Sequence, residues 1–177
     1  MRLGRPAAEP PGIAYNGPFV SLRPARQEPG GIAPDLLQRL QKRLADNPAL
    51  GWLSPVLEEL SLDACVLRLP YREALTNGSG TVHGGVLATL ADTAVAFALA
   101  TNFDGKMGFA TADLTIHYLR RARGEVRARA RILKKGQRVN VGEVDIVGAD
   151  GQSIARALAT FILTTSSFDY APERRTS

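Results

Sequence analysis

Hydrophobic residues recur along this chain in two rhythms, one of about 3.6 residues and one of two, and the switches between them mark its elements. Leu36, Leu37, Leu40 and Leu44 fall at helical spacing within Ala33–Ala45. Pro34 and Asp35 suit the first turn of that helix, and Asn47-Pro48 stops it. Trp52 to Tyr71 reads as a loop and then a strand, with Val66, Arg68 and Pro70 alternating with Leu67, Leu69 and Tyr71. A polar turn, Asn77-Gly78-Ser79-Gly80, leads through Thr81-Val82-His83-Gly84-Gly85 into an apolar helix ending near Ala100. Leu, Ala, Val and Phe occupy nearly every face of that helix, so it must be covered on all sides.

Four strand-like segments follow: Ala110–Leu119, Glu125–Lys134, Val139–Val147 and Ser153–Thr164. Arg123-Gly124, Gly136-Gln137 and Asp150-Gly151 separate them, and such short links favour antiparallel pairing. In the third segment, Val139 and Val141 differ in parity from Val144 and Ile146, which predicts a bulge near Gly142. The pattern therefore predicts an α+β fold: an antiparallel sheet of five or six strands wrapped around one long central helix. A sheet edge and the remaining helix face are left over, and a second copy of the chain is the simplest cover for both. Residues 1–32, rich in Pro, Gly and Arg, read as an irregular extension; 33–169 form the single domain, and 170–177 a flexible tail.

Composition narrows the chemistry. A chain of 177 residues fits one domain able to bury roughly 70% of its extended surface. Two histidines and one cysteine exclude most zinc frameworks and any intrachain disulfide network, so no metal and no cofactor are expected. Cys65, in an apolar stretch, is expected to be a buried thiol. Met1 to Gly30 hold no signal-like apolar run. The most apolar stretch, Gly84 to Ala100, lies at the short limit for crossing a bilayer and carries Asp92 at its middle. A soluble, cytoplasmic protein with no membrane partner is the expectation.

Asn77, His83, Gly84 and Asp92 concentrate the available reactive groups. A helix start leaves free N–H groups and the positive end of the dipole, which suit a developing oxyanion, and glycine lets a ligand approach the backbone. His83, just before that start, has the position to orient a loop or donate to a ligand oxygen. Asp92, eight residues beyond Gly84, can activate water or attack a carbonyl if it lines a cleft. Asn77 can orient water or a carbonyl without ionising. Each also has an ordinary structural role: a buried aspartate bonded to Thr89, Thr93 or backbone, a residue at the helix entrance, a tight glycine turn, a turn asparagine. No nucleophile elbow is present, and these residues alone fix no reaction type.

The run Asn77-Gly78-Ser79-Gly80-Thr81-Val82-His83-Gly84-Gly85-Val86, continuing through Ala91-Asp92, resembles the signature of hotdog-fold acyl-CoA thioesterases, within the branch of phenylacetate-pathway and thioesterase-superfamily-member proteins. The resemblance extends from about Pro48 to Phe168. It implies that acyl-CoA is hydrolysed to a carboxylic acid and CoA, with Asp92 as nucleophile or general base and the Gly84 N–H on the thioester oxygen. It further implies that His83 and Asn77 orient thioester or water, and that Thr111 positions water opposite Asp92. The family builds its site between two subunits, so a homodimer or homotetramer is implied. Related hotdog proteins bind acyl groups without rapid hydrolysis, which keeps a non-catalytic acyl-CoA sensor or interaction module as the alternative. A hydratase is disfavoured by the arrangement from His83-Gly84-Gly85 to Asp92.

Charge adds one further candidate. Nine Lys and Arg residues and the single acid Glu125 lie between 120 and 138, a segment of net +8 in a chain of net +5. Arg127, Arg129 and Arg131 share one strand face, read either as a solvated sheet surface or as a phosphate site. In hotdog thioesterases the nucleotide end of CoA commonly lies on an exterior basic surface, which makes Arg120, Arg121, Lys134, Lys135 and Arg138 the CoA-binding candidates. Nucleic acid is disfavoured, because neither a reading module nor a stacking platform accompanies the charge. Trp52, Leu53, Val56 and Leu57 are candidates to cover the mouth of an acyl pocket and Phe97 and Phe109 to wall it, with core packing the simpler role for each. His117 is left unassigned.

Overall fold

The computed structural model describes residues 32–103 and 107–167; the expected N-terminal extension, apart from its last residue, and the C-terminal tail lie outside them. Two short helices, α1 (Leu36–Asp46) and α2 (Pro48–Gly51), precede two strands, β1 (Val56–Ser61) and β2 (Ala64–Leu69). The long helix α3 (Gly84–Ala100) follows, and then β3 (Met107–Tyr118), β4 (Val126–Lys134), β5 (Val139–Gly148) and β6 (Ser153–Ser167). The leucine face of α1 is buried through Leu36, Leu40 and Leu44. Asn47 ends α1 and caps α2, its Oδ1 accepting from the Ala49 N–H at 2.9 Å.

The six strands form one antiparallel sheet in the order β1-β2-β4-β5-β6-β3, wrapped around α3 as expected for the hotdog fold. One departure from expectation lies at its start. Trp52–Tyr71 holds two strands, because Asp63 adopts a left-handed conformation (φ 64°) that turns the chain back on itself. Its carboxylate then accepts from Lys135 and Asn102, which ties the hairpin to the end of α3.

The inner face of the sheet is lined by small residues: Ala128 and Ala130 on β4, Gly142 on β5, and Ala155, Ala157 and Ala159 on β6, all buried. Alanines 91, 94, 98 and 100 of α3 are buried too, and small residues on both sides let the helix lie close to the strands. At Gly142 the approach is closest. A Cβ there would stand 2.4 Å from Cγ1 of Val95. The bulge expected near Gly142 is not in β5. That strand runs regularly, with Asn140, Gly142, Val144 and Ile146 inward, and the irregularities fall on its neighbours, at Leu133 of β4 and Ile154 of β6. The apparent parity change arises because a buried asparagine and a helix-contact glycine occupy two inward positions. Cys65 is fully enclosed on β2, and burial pushes its thiol pKa up, as expected for an inert core residue. The run Gly84–Phe103 is apolar and long enough to cross a membrane by composition, and 67% of its most apolar window is buried inside the fold.

Candidate active site

The loop before α3 is laced to the helix start by its own backbone. The Asn77 and His83 N–H groups donate to the carbonyls of Thr81 and Leu75 at 2.8 and 2.9 Å, and the Val82 N–H donates to Ala122 at 2.8 Å. Asn77 organises the turn. Its Oδ1 accepts from the Ser79 N–H (3.0 Å), the Ser79 hydroxyl (2.7 Å) and the Thr81 hydroxyl (3.0 Å). The oxygen of this amide is therefore committed, and its NH2 is the group available to a ligand. His83 caps α3: its Nδ1 accepts from the Gly85 N–H at 3.0 Å, which leaves Nε2 as the ring's donor. The Val86 and Leu87 N–H groups both donate to the His83 carbonyl. Among the described residues nothing engages the Gly84 N–H, so an unpartnered amide stands at the positive end of a 17-residue helix.

Asp92 lies further along a half-open stripe of α3 formed by Gly85, Thr89, Asp92 and Ala96. Its carboxylate accepts from the Thr111 hydroxyl at 2.9 Å. Burial pushes the Asp92 pKa above the ordinary aspartate value, and the Thr111 hydrogen bond pulls part of the way back. Thr111 reaches the helix through a bulge in β3 between Thr111 and Asp113. The bulge shifts the parity of the strand, so that Thr111 on one side of it and Leu114, Ile116 and Tyr118 on the other all face α3. Sequence reasoning left Tyr118 without a role. Its hydroxyl donates to the Gly84 carbonyl at 2.9 Å. The alternation of β3 carried the signal only to a reader who had placed that bulge.

The structure thus brings Asn77, His83 and Gly84 together at one end of α3, and Asp92 with Thr111 two turns on. The eight-residue step from Gly84 to Asp92 spans about 12 Å of helix. The cationic candidates separate. Arg120 and Arg121 are exposed in the loop beside the helix start, where Ala122 accepts from Val82. Lys134, Lys135 and Arg138 lie at the opposite end of the nine-residue β4, about 26 Å of strand away. Lys135 donates there to Asp63 and Asn102, each at 2.9 Å. Two of the three arginines on the β4 stripe, Arg127 and Arg131, are matched by acids. Arg127 pairs with Glu58 and Glu125 at 2.9 Å each, Arg68 with the same two acids at 2.6 and 3.0 Å, and Arg131 with Glu143. Burial raises the Glu58 pKa, but its bonds from Arg127 and Arg68 outweigh that and hold the carboxyl below the ordinary value.

Two cavities flank α1, one of about 490 Å³ beside Arg39, Arg43 and Pro48 and one of about 450 Å³ between α1 and β1. Of the pocket candidates, Leu53, Leu57 and Phe97 are buried, Phe109 packs edge-to-face on Phe161 at 5.5 Å, and Trp52 and Val56 are exposed.

A six-stranded antiparallel sheet wrapped around one long buried helix is the hotdog fold. Comparison with known proteins agrees. The profile of the thioesterase superfamily matches residues 79–155. A Halobacterium salinarum protein, provisionally named an esterase, is 38% identical over 123 residues, which span 67% of this chain and 82% of that one. The acyl-coenzyme A thioesterase 13 of Mus musculus is 32% identical over 113 residues, 59% of this chain and 80% of that one. Among solved structures, the Escherichia coli PaaI protein from the phenylacetic acid degradation operon shares the fold, with a TM-score of 0.68, 20% identity, and coverage of 75% of this chain and 96% of that one. The chain belongs to the hotdog-fold thioesterase superfamily.

Proposed function

We propose that this protein hydrolyses an acyl-CoA thioester to a carboxylic acid and CoA, as a homodimer whose two sites each draw on both copies. One observation carries the reading: an unpartnered amide and a half-buried carboxylate share one helix, yet lie too far apart to meet one carbonyl within a single copy. Two copies packed with their α3 helices antiparallel bring the Gly84 N–H of one against the Asp92 carboxylate of the other. The thioester oxygen accepts from Gly84 as negative charge develops on it. The ionised Asp92 carboxylate takes a proton from water, whose oxygen attacks the carbonyl carbon. In the alternative route it attacks the carbon itself, forming an anhydride that water then opens. Collapse of the tetrahedral intermediate breaks the C–S bond, and the CoA thiolate leaves and takes a proton. Thr111 holds the carboxylate, His83 fixes the helix start, and the Asn77 NH2 orients the thioester. The phosphates of CoA meet Arg120 and Arg121, a reading supported by the exposure of both beside that start.

Release of free thiol, followed with a thiol reagent across aryl-acetyl, benzoyl and medium-chain acyl-CoA substrates, tests the reading. Turnover of at least one class is expected. Tight calorimetric binding of the same ligands without thiol release would instead make the protein an acyl-CoA sensor.

A further inference from the structure

A residue outside the expected site touches its helix start. We propose that Tyr118 is a positioning residue for the Gly84 amide: it pins Gly84 so that the free N–H stays aimed at the thioester oxygen. This rests on the hydrolase reading above and adds a part to its machinery.

The argument begins with contact. The Tyr118 hydroxyl donates to the Gly84 carbonyl at 2.9 Å, and a Cβ built on Gly84 would meet its Cζ at 3.3 Å and its Cε1 and Oη at 3.4 Å. The ring therefore lies flush on a residue without a side chain, and glycine here makes room for tyrosine. Gly84 follows a histidine in extended conformation (ψ 140°) and is the first residue of the helix. Among the described residues its N–H has no hydrogen-bond partner; it lies in the His83–Gly84 peptide plane, whose carbonyl accepts from the Val86 and Leu87 N–H groups. The adjoining Gly84–Gly85 plane is held at both ends, its N–H donating to the His83 ring and its carbonyl accepting from the Tyr118 phenol, so Tyr118 helps fix the second of the two planes that meet at Gly84.

Tyr118 is itself well anchored. The next two residues, Leu119 and Arg120, both donate their N–H groups to the Ile154 carbonyl, at 2.8 and 3.1 Å. Two residues further, Ala122 accepts from Val82, directly before the helix start. The end of β3 is thus tied both to β6 and to the segment that leads into α3. A donor built on such a brace is held in its working direction before substrate arrives, and misdirection by a fraction of an ångström is costly in rate. The ring is half exposed (51%), which leaves its outer side open beside the amide while its polar tip is used internally.

Tyr118→Phe tests this, because it keeps the ring and removes only the bond. Steady-state hydrolysis of an acyl-CoA that the wild type turns over, calorimetric affinity for CoA, melting temperature and particle mass are measured together. The expected result is a kcat lower by about tenfold, with KM and the CoA dissociation constant within about twofold of wild type and an unchanged mass. Tyr118→Leu, which also removes the ring, is expected to lower kcat further, again without loss of CoA affinity. A Tyr118→Phe protein with wild-type kcat overturns the inference while leaving the hydrolase reading intact. A protein that loses rate, CoA affinity and folding together also overturns it, since the hydroxyl is then merely structural. A wild type without turnover on any substrate overturns the hydrolase reading itself, and this inference with it.

Discussion

Asp92 is held between two opposing influences, and its chemistry follows from their balance. Burial favours the neutral acid and the Thr111 hydroxyl favours the carboxylate, with burial the stronger. The proposed reaction uses the carboxylate, and on that reading kcat/KM should rise with pH along an acid limb centred above the ordinary aspartate value of 3.8. Thr111→Val removes the influence that lowers the pKa, and the limb should move to higher pH; a shift to lower pH would contradict the assignment. Asp92→Asn should reduce kcat by about 100-fold or more. Its effect on stability has the opposite sign. Because the folded pKa lies above the unfolded one, the favourable contribution of the protonated acid is complete below the unfolded value and is lost as pH rises through the folded one. At neutral pH the wild type therefore carries an ionised, partly desolvated carboxylate that the asparagine variant lacks. The variant should melt at the same temperature or higher at pH 7, as read by calorimetry, and a clear drop would show that Asp92 is a structural residue.

Among the elements, the contact between α3 and β5 sets the depth of the helix in the sheet. Gly142→Ala would press a methyl group onto Val95 and the Arg131 carbonyl, at 2.4 and 3.1 Å. One of these is backbone on the neighbouring strand, so the helix has to move outward. A loss of about 1–3 kcal/mol is expected in denaturant titration, with an acid limb unchanged in position because Asp92 and Thr111 keep their bond. The β1–β2 hairpin shows a different control. One left-handed residue, Asp63, turns an apparent single strand into two, and its side chain fastens them to Lys135 and Asn102. The arginines of β4 read in sequence as a basic stripe, either a solvated sheet surface or a phosphate site. Glu58 and Glu143, remote from them in the chain or on the next strand, meet two of them once the sheet is assembled.

For the molecule as a whole, β3 is a long edge strand, with Asp113, Thr115 and His117 exposed on the face away from α3 and Thr111 exposed beside the half-open stripe of the helix. Such an edge is a template for pairing with another chain. If each site takes Gly84 from one copy and Asp92 from the other, two inactive variants should rescue each other. Gly84→Ala crowds the amide and the Tyr118 ring, and Asp92→Asn removes the acid. Random co-assembly of the two should restore about a quarter of the wild-type sites, because half the dimers are mixed and each mixed dimer has one site with both groups intact. Activity of the mixture no higher than that of either variant alone would place both groups in one chain.

Much of this was legible before any coordinates. The apolar girdle of α3 dictated its burial, turn residues separated the last four strands, and the run from Asn77 to Asp92 gathered the candidate reactive groups. These are local properties: periodicity sets which face of an element is apolar, and a glycine or an acid in an apolar helix is conspicuous where it stands. The order β1-β2-β4-β5-β6-β3, the bulge that turns Thr111 and Tyr118 onto the helix, the separation of the cationic candidates to two ends of β4, and the pairing of its arginines with distant acids were decided only in three dimensions. Each depends on which residues far apart in the chain become neighbours. That is settled by how closely a small-residue sheet face accepts a helix and by the matching of charge across strands, and no window of sequence contains both sides of such a contact.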